Sequence, residues 1–183
     1  LDFKIPFDQG KGVASGDFDN DGWPDLVFGS KYGPKIYKNT GKSTFQAIDI
    51  SHPQINTFET FLVSFVDINN DGWLDLYFST YGEGQYLLIN DKNGFTDAKL
   101  EKLPIDTRPV TMSATFGDID HDGDLEIYQG YLSHIRHPNR QNKEAINHLL
   151  VNNGGTFSAE ELDQEPGETL TTLFTDINDD GFL

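Results

Sequence analysis

The sequence predicts an all-β protein, a β-propeller built of four-stranded antiparallel blades, and three observations carry that prediction. An acidic loop recurs in phase, its first Asp falling at 17, 67, 118 and 176, which gives spacings of 50, 51 and 58. A turn-rich marker recurs with it: Tyr37-Lys-Asn39-Thr-Gly41 before Phe45, Ile89-Asn90 to Gly94 before Phe95, and Val151-Asn152 to Gly155 before Phe157. The stretches between are short, apolar or alternating, and none has a sustained helical period. Repeats of about 50 residues with room for four short strands are the signature of propeller blades. A sandwich of irregular hairpins would also be all-β, but it does not require the period.

In chain order, residues 1–11 lack a loop and read as a lead-in or as the outer strand of a preceding blade. The blades are expected over residues 12–50, 60–100 and 110–162, with an incomplete one at 169–183. First strands are expected at Phe61 to Val66, Met112 to Phe116 and Leu170 to Thr175, each running into its loop. Second strands leave the loops at Leu26 to Phe28, Leu76 to Phe78 and Ile127 to Tyr128. Third strands, Lys35 to Lys38, Tyr86 to Ile89 and His148 to Val151, enter the marker hairpins, and fourth strands begin at the marker Phe. From loop Asp to marker Phe the distance is 28, 28 and 39 residues, so the third repeat carries about eleven extra residues between loop and hairpin. A helical turn is expected there, around Lys143 to Ile146. Propellers have about four to eight blades, so three and the opening of a fourth read as part of a larger chain.

Composition sets the frame. The 183 residues are 36% apolar, enough for a core, and rich in Phe, Tyr and Gly, which suits short strands and tight turns. The absence of cysteine excludes a disulfide framework and any thiolate metal site or nucleophile. Apolar runs are far too short for a membrane span. The formal charge of −17 argues against a nucleic-acid partner. Half of the 30 acidic residues lie in the four loops, where carboxylates repel one another unless a cation sits among them.

Those loops read as metal sites. Alternate acidic side chains converge on one centre when a glycine lets the backbone turn sharply, and oxygen-only ligands select a hard cation, calcium before magnesium. The pattern begins like an EF-hand but departs at the twelfth position, where Phe28, Phe78 and Gln129 replace the bidentate Glu. Closure falls instead on the ninth position. The expected ligands of loop one are Asp17, Asp19, Asp21 and Asp25, with the carbonyl of Trp23. Loop two offers Asp67, Asn69, Asp71 and Asp75, with the carbonyl of Trp73. Loop three offers Asp118, Asp120, Asp122 and Glu126, with the carbonyl of Asp124. Loop four supplies Asp176, Asn178 and Asp180 and lacks its ninth position. One Ca2+ per loop is expected, more weakly where Asn stands at the third position.

The DxDxDGxxD loop running into Asp25-Leu-Val-Phe-Gly29-Ser30 resembles the FG-GAP (VCBS) repeat of integrin α-subunit propellers. The companion marker, as in Leu149-Leu-Val-Asn-Asn-Gly-Gly-Thr-Phe157, resembles the branch found in cartilage acidic protein and its bacterial relatives. The resemblance covers almost the whole chain and implies a seven- or eight-bladed propeller with calcium in the turn between strands one and two. It also implies an extracellular, cell-surface or periplasmic setting and a recognition role without fixing the ligand. The departures are Glu126 for Asp, the insertion in the third repeat, and the incomplete fourth loop.

The antiparallel meander places the acidic loop and the marker hairpin at one end of a blade and the insertion at the other. The insertion holds His134, Arg136, His137 and Arg140, with Lys143 and His148 nearby. It reads as a contact for an anionic ligand or a partner subunit, or as a surface loop offsetting acidic neighbours. His134 and His137 alone lack a third metal ligand. Trp23 and Trp73 occupy one slot of the repeat and are assigned to packing between blades. The repeated carboxylates are committed to metal, and no nucleophile elbow or phosphate-cradling loop is present. The function expected is non-enzymatic: a calcium-stabilised binding, adhesion or scaffold module for a protein or glycan partner. The alternatives are an accessory propeller of a secreted carbohydrate-active enzyme and a self-assembling structural subunit.

Overall fold

The turn chemistry and the apolar runs organise themselves as three four-stranded antiparallel sheets in a computed structural model that describes residues 11–42, 44–105, 110–132, 145–162 and 167–183. The first sheet comprises β1 (Val13–Gly16), β2 (Asp25–Phe28), β3 (Lys35–Asn39) and β4 (Phe45–Ile48), paired in chain order. A single 3-10 turn, Ile55–Thr57, leads to the second sheet, β5 (Thr60–Val66), β6 (Asp75–Thr80), β7 (Gln85–Ile89) and β8 (Lys99–Lys102). The third comprises β9 (Val110–Gly117), β10 (Glu126–Leu132), β11 (His148–Asn153) and β12 (Thr156–Glu161). Each sheet is a meander, so the acidic loop and the marker hairpin of a sheet share one of its ends. Among the described residues no helix is long and apolar enough to cross a membrane.

Strand positions follow the sequence reading with definite corrections. The second strands begin on the closing carboxylate itself, at Asp25, Asp75 and Glu126, because that residue already pairs with the strand before the loop. The fourth strand of the second sheet starts at Lys99, not at Phe95. Phe95 sits at φ 67 in the turn, its ring fully buried, so core packing holds it out of the ladder. Leu170 to Thr175 is not a strand, although Thr172 donates its N–H to Ser113 Oγ (2.8 Å) and Phe174 to Thr115 Oγ1 (3.3 Å). Hydroxyls of β9 there take the place of ladder carbonyls. The expected helical turn lies mostly outside the described residues, and Ala145 and Ile146 at its end are not helical.

The chain divides into two compact units, residues 1–66 with 72–103, and residues 67–71 with 104–183. In the first, the core is Phe18, Val27, Ile36, Ile55, Phe58, Val63, Leu76, Phe78, Leu88 and Phe95 with their neighbours. β6 is buried at every position from Asp75 to Thr80, as befits a strand covered on both faces. The two sheets of this unit interlock through aromatics. Phe18 stacks on Phe65 at 6.0 Å and meets Phe95 at 5.5 Å, while Phe58 lies 4.5 Å from Tyr86. They also share backbone bonds, Gly12 N–H to Phe61 O at 2.7 Å and Thr60 N–H to Ser30 O at 2.9 Å. In the second unit Val110, Ile127, Tyr131 and Leu150 are fully buried.

Candidate metal centre

The acidic loops owe their shape to two backbone positions and one carboxylate. The fourth residue is left-handed in every copy, at Asn20 (φ 55), Asn70 (φ 53), His121 (φ 62) and Asp179 (φ 59), and the glycine at position six has φ between 84 and 98. Asn and Asp tolerate that region better than other side chains, and Gly tolerates it best. The first Asp then gathers the backbone around itself. Asp17 accepts from the N–H groups of Asp21 (3.0 Å) and Gly22 (2.8 Å), and Asp176 does the same for Asp180 (3.2 Å) and Gly181 (2.6 Å). Asp67 accepts from Asp71 N–H (2.9 Å), and Asp118 from Gly123 N–H (3.2 Å).

This folding brings carboxylates together. Asp17, Asp19 and Asp25 each offer an oxygen within 4.8 Å of the others, and so do Asp118, Asp120 and Asp122. In both groups one oxygen is buried without a hydrogen-bond partner: Asp19 Oδ1 in the first, Asp118 Oδ1 in the second. A buried carboxylate oxygen left unpaired is costly unless a cation compensates it. The donor sets are all oxygen, so both groups can hold a hard metal ion. Loop two straddles the two units; Asp67, Asn69 and Asp71 lie in one and Asp75 in the other.

The ninth residue is held from below. Asp25, Asp75 and Glu126 are 0%, 1% and 0% exposed. Asp25 Oδ2 accepts from Phe18 N–H (3.1 Å) and Oδ1 from Asn39 N–H (2.7 Å). Glu126 repeats this with Ile119 N–H (2.9 Å) and Asn152 N–H (3.3 Å), its extra methylene accommodated by the same two donors. Asp75 accepts from Asn90 N–H (2.7 Å). The asparagines go further, for their amides bond the carbonyl of the residue before the carboxylate: Pro24 (3.0 Å), Leu74 (2.9 Å) and Leu125 (3.4 Å). Sequence reasoning took Asn39, Asn90 and Asn152 for turn formers. Their recurrence five or six residues before each marker Phe was the available signal, but turn chemistry seemed reason enough for it.

Burial pushes the Asp25 carboxyl up to about 6 from its ordinary 3.8, more than the Asn39 and Phe18 N–H groups pull it down. The folded chain therefore binds this proton more tightly than the unfolded chain does, and the buried charge weakens the fold above pH 6. That penalty fades as pH falls toward 4. In chelator, Asp25→Asn loses one acceptor and is expected to be destabilised at every pH. Its deficit relative to the wild type should be larger at pH 4.5 than at pH 7 in urea melts; a deficit that shrinks on acidification contradicts the assignment.

Loop one has a cation of its own. Lys38 Nζ bonds Asp19 and lies 3.0 Å from Asp21 Oδ2. Asp19 and then Asp21 hold the ammonium well above its ordinary range, and Lys38 in turn lowers Asp21. In register, the other repeats place Ile89 and Val151 there. Trp23 is 50% exposed and lies over Gly41 of its own sheet's hairpin, whose added Cβ would come 2.8 Å from Nε1. Within its own sheet the glycine offers the ring a flat seat. Trp73 is half-buried beside Phe18, Asp19 and Lys38 of the first sheet. Asp124 Oδ2 accepts from Gly154 N–H at 2.9 Å. In loop four the Asn178 amide bonds Asp180 (2.7 Å). His134, Arg136, His137 and Arg140 lie outside the described residues.

A repeated loop of this construction, with its sheet, is matched by the profile of the FG-GAP-like repeat at residues 17–78 and again at 67–128, together more than half of the chain. The chain belongs to the FG-GAP-like repeat family. Each match begins on the first Asp of a loop and ends on the second strand of the following sheet, so the FG-GAP-like unit runs from one acidic loop through the next. No curated protein sequence matches the chain.

Proposed function

We propose that this FG-GAP-like chain is a calcium-stabilised, non-enzymatic binding module whose sheets are blades of a β-propeller. The observation that carries the reading is the pair of orphaned, buried carboxylate oxygens, Asp19 Oδ1 and Asp118 Oδ1, within all-oxygen acidic groups. Asp17, Asp19 and Asp25 would hold the ion in loop one, Asp118, Asp120 and Asp122 in loop three, with Asp21 and Glu126 adjoining. Bound calcium supplies charge neutralisation and fixes loop geometry. Extracellular calcium modules bind at about 10⁻⁴ to 10⁻³ M, which suits an extracellular setting, of which FG-GAP repeats are typical, or a periplasmic one. The partner, protein or glycan, is assigned to the ends of the blades away from the acidic loops, where Tyr32 stands 52% exposed between β2 and β3.

Calorimetric titration of chelator-stripped protein with calcium tests the metal reading, with magnesium as the control. Saturable binding at millimolar calcium or below is expected; none would overturn it. The same titration checks the built-in ammonium. Lys38→Ile, the residue of the second repeat, is expected to tighten calcium binding at loop one by roughly tenfold, since removing one competing charge at an effective dielectric of about 20 is worth a few kcal/mol before screening. Unchanged affinity would show that Lys38 moves aside freely. A glycan array probed with and without calcium tests the partner class.

A further inference from the structure

Glycine follows Asn or Asp at Asn93-Gly94 and Asn153-Gly154 in the marker hairpins, and at Asp21-Gly22, Asp122-Gly123 and Asp180-Gly181 in the acidic loops. At such a pair the glycine nitrogen can attack the side-chain carbonyl before it, since no Cβ hinders the approach. The attack requires an N–H free to turn and to lose its proton. A charge-assisted hydrogen bond to a carboxylate denies it both. Gly22 donates to Asp17 (2.8 Å), Gly123 to Asp118 (3.2 Å) and Gly181 to Asp176 (2.6 Å). Gly154 donates to Asp124 Oδ2 at 2.9 Å, and Asn153 before it is held in the β11–β12 ladder opposite Thr156. Gly94 differs from these four. Among the described residues no group accepts its N–H. The bonds of this turn fix its neighbours instead, Asn93 N–H to Asp91 Oδ1 (3.1 Å) and Asp97 N–H to Asp91 Oδ2 (2.8 Å). Asn93 and Asn153 are both exposed, so exposure does not separate them.

We propose that Asn93 is a site of spontaneous deamidation and isoaspartate formation, and that Asp124 protects Asn153 from the same reaction. Gly94 N forms a bond to Asn93 Cγ, the Cγ–Nδ2 bond breaks, and the proton of the glycine N–H leaves with the amide as ammonia. Water then opens the cyclic imide. Opening at Cγ gives Asp; opening at the main-chain carbonyl gives isoaspartate, whose chain runs on through Cβ and Cγ. Either product adds a negative charge to a groove wall that Asn93 shares with Asp19 and Lys38. The isoaspartate also lengthens the main chain by a methylene two residues before Phe95, whose ring is fully buried 5.5 Å from Phe18. The modified hairpin therefore seats Phe95 less well. No metal ion takes part in the reaction.

Both sites can be read in one sample. The full chain is incubated in calcium at mildly alkaline pH, where the glycine nitrogen loses its proton more readily, and its peptides are mapped by mass spectrometry. Asn93 should convert at least about tenfold faster than Asn153, the factor for a nitrogen that must first give up a bond to a charged acceptor. In urea, where neither turn survives, the two rates should converge. Asp124→Ala should bring Asn153 toward the rate of Asn93, with Asn93 in the same molecule as the standard for any general loosening. Should Asp124→Ala fail to fold, the comparison of folded with urea-treated wild type carries the test alone. Chains with isoaspartate at 93, separated by ion exchange, should melt below unmodified chains. Absence of conversion at Asn93 in the folded protein, or conversion of Asn153 as fast, overturns the proposal. An unchanged Asn153 rate in folded Asp124→Ala removes Asp124 as the protector, and an unchanged midpoint in the isoaspartyl fraction removes the link to Phe95.

Discussion

Stripping calcium from the protein is expected to lower its stability by about 2.7 kcal/mol for each loop that was held at a hundredfold excess over its dissociation constant. The two loops whose carboxylates converge would together come to roughly 5 kcal/mol, comparable with the lower end of the whole stability of an ordinary domain. The structure gives a reason to expect an effect of that size. Asp25, Asp75 and Glu126 are buried at the roots of the loops, and Asp19 Oδ1 and Asp118 Oδ1 have no donor. Without a cation these charges are desolvated and only partly compensated. Thermal or urea unfolding in excess chelator, started from a calcium-loaded sample, should show a much lower midpoint that calcium restores and magnesium restores less. A transition that chelator leaves in place would sink the calcium reading.

The all-β class, the strand content and the place of the acidic loops were legible because they depend on period. A two-residue alternation and a 50-residue recurrence survive any ignorance of tertiary contacts. What stayed hidden depends on long-range partners. Asn90 bonds Phe18, 72 residues away, and nothing in the local sequence separates a turn-forming Asn from one that ties two loops. Lys38 was invisible as an internal cation because β3 places it beside Asp19 only once the sheet exists. Phe95 reads as the start of a strand, yet the core formed with Phe18 claims its ring and leaves its backbone left-handed. Loop four repeats the backbone bonds of loop one at Asp176, which shows how much of the loop's shape is encoded within six residues.

Gly33→Ala is expected to be among the most damaging single substitutions in the chain. Gly33 has φ 80, where an L side chain costs about 1–2 kcal/mol. A Cβ there would lie 2.2 Å from the carbonyl oxygen of Ile55 and 3.0 Å from its carbon. Neither side can yield cheaply. Gly33 is fixed by its N–H to Phe58 O (2.7 Å) and by Ser30 Oγ to its carbonyl (2.7 Å), while Ile55 is buried at 1% exposure in the core of the same unit. Overpacking against fixed backbone adds about 1–3 kcal/mol, so a total of roughly 2–5 kcal/mol is expected. For a unit of this size that is a fall in melting temperature of at least about 8 °C. Gly154→Ala isolates the two causes. Its φ is 62, but nothing lies within 4 Å of the added Cβ, so only the conformational cost of about 1–2 kcal/mol applies. Urea melts of both variants in saturating calcium should therefore differ by the clash alone. If they lost stability equally, the close approach of Gly33 to Ile55 would carry no weight, and the seating of the 3-10 turn against the β2–β3 connection would have to be looser than its hydrogen bonds imply.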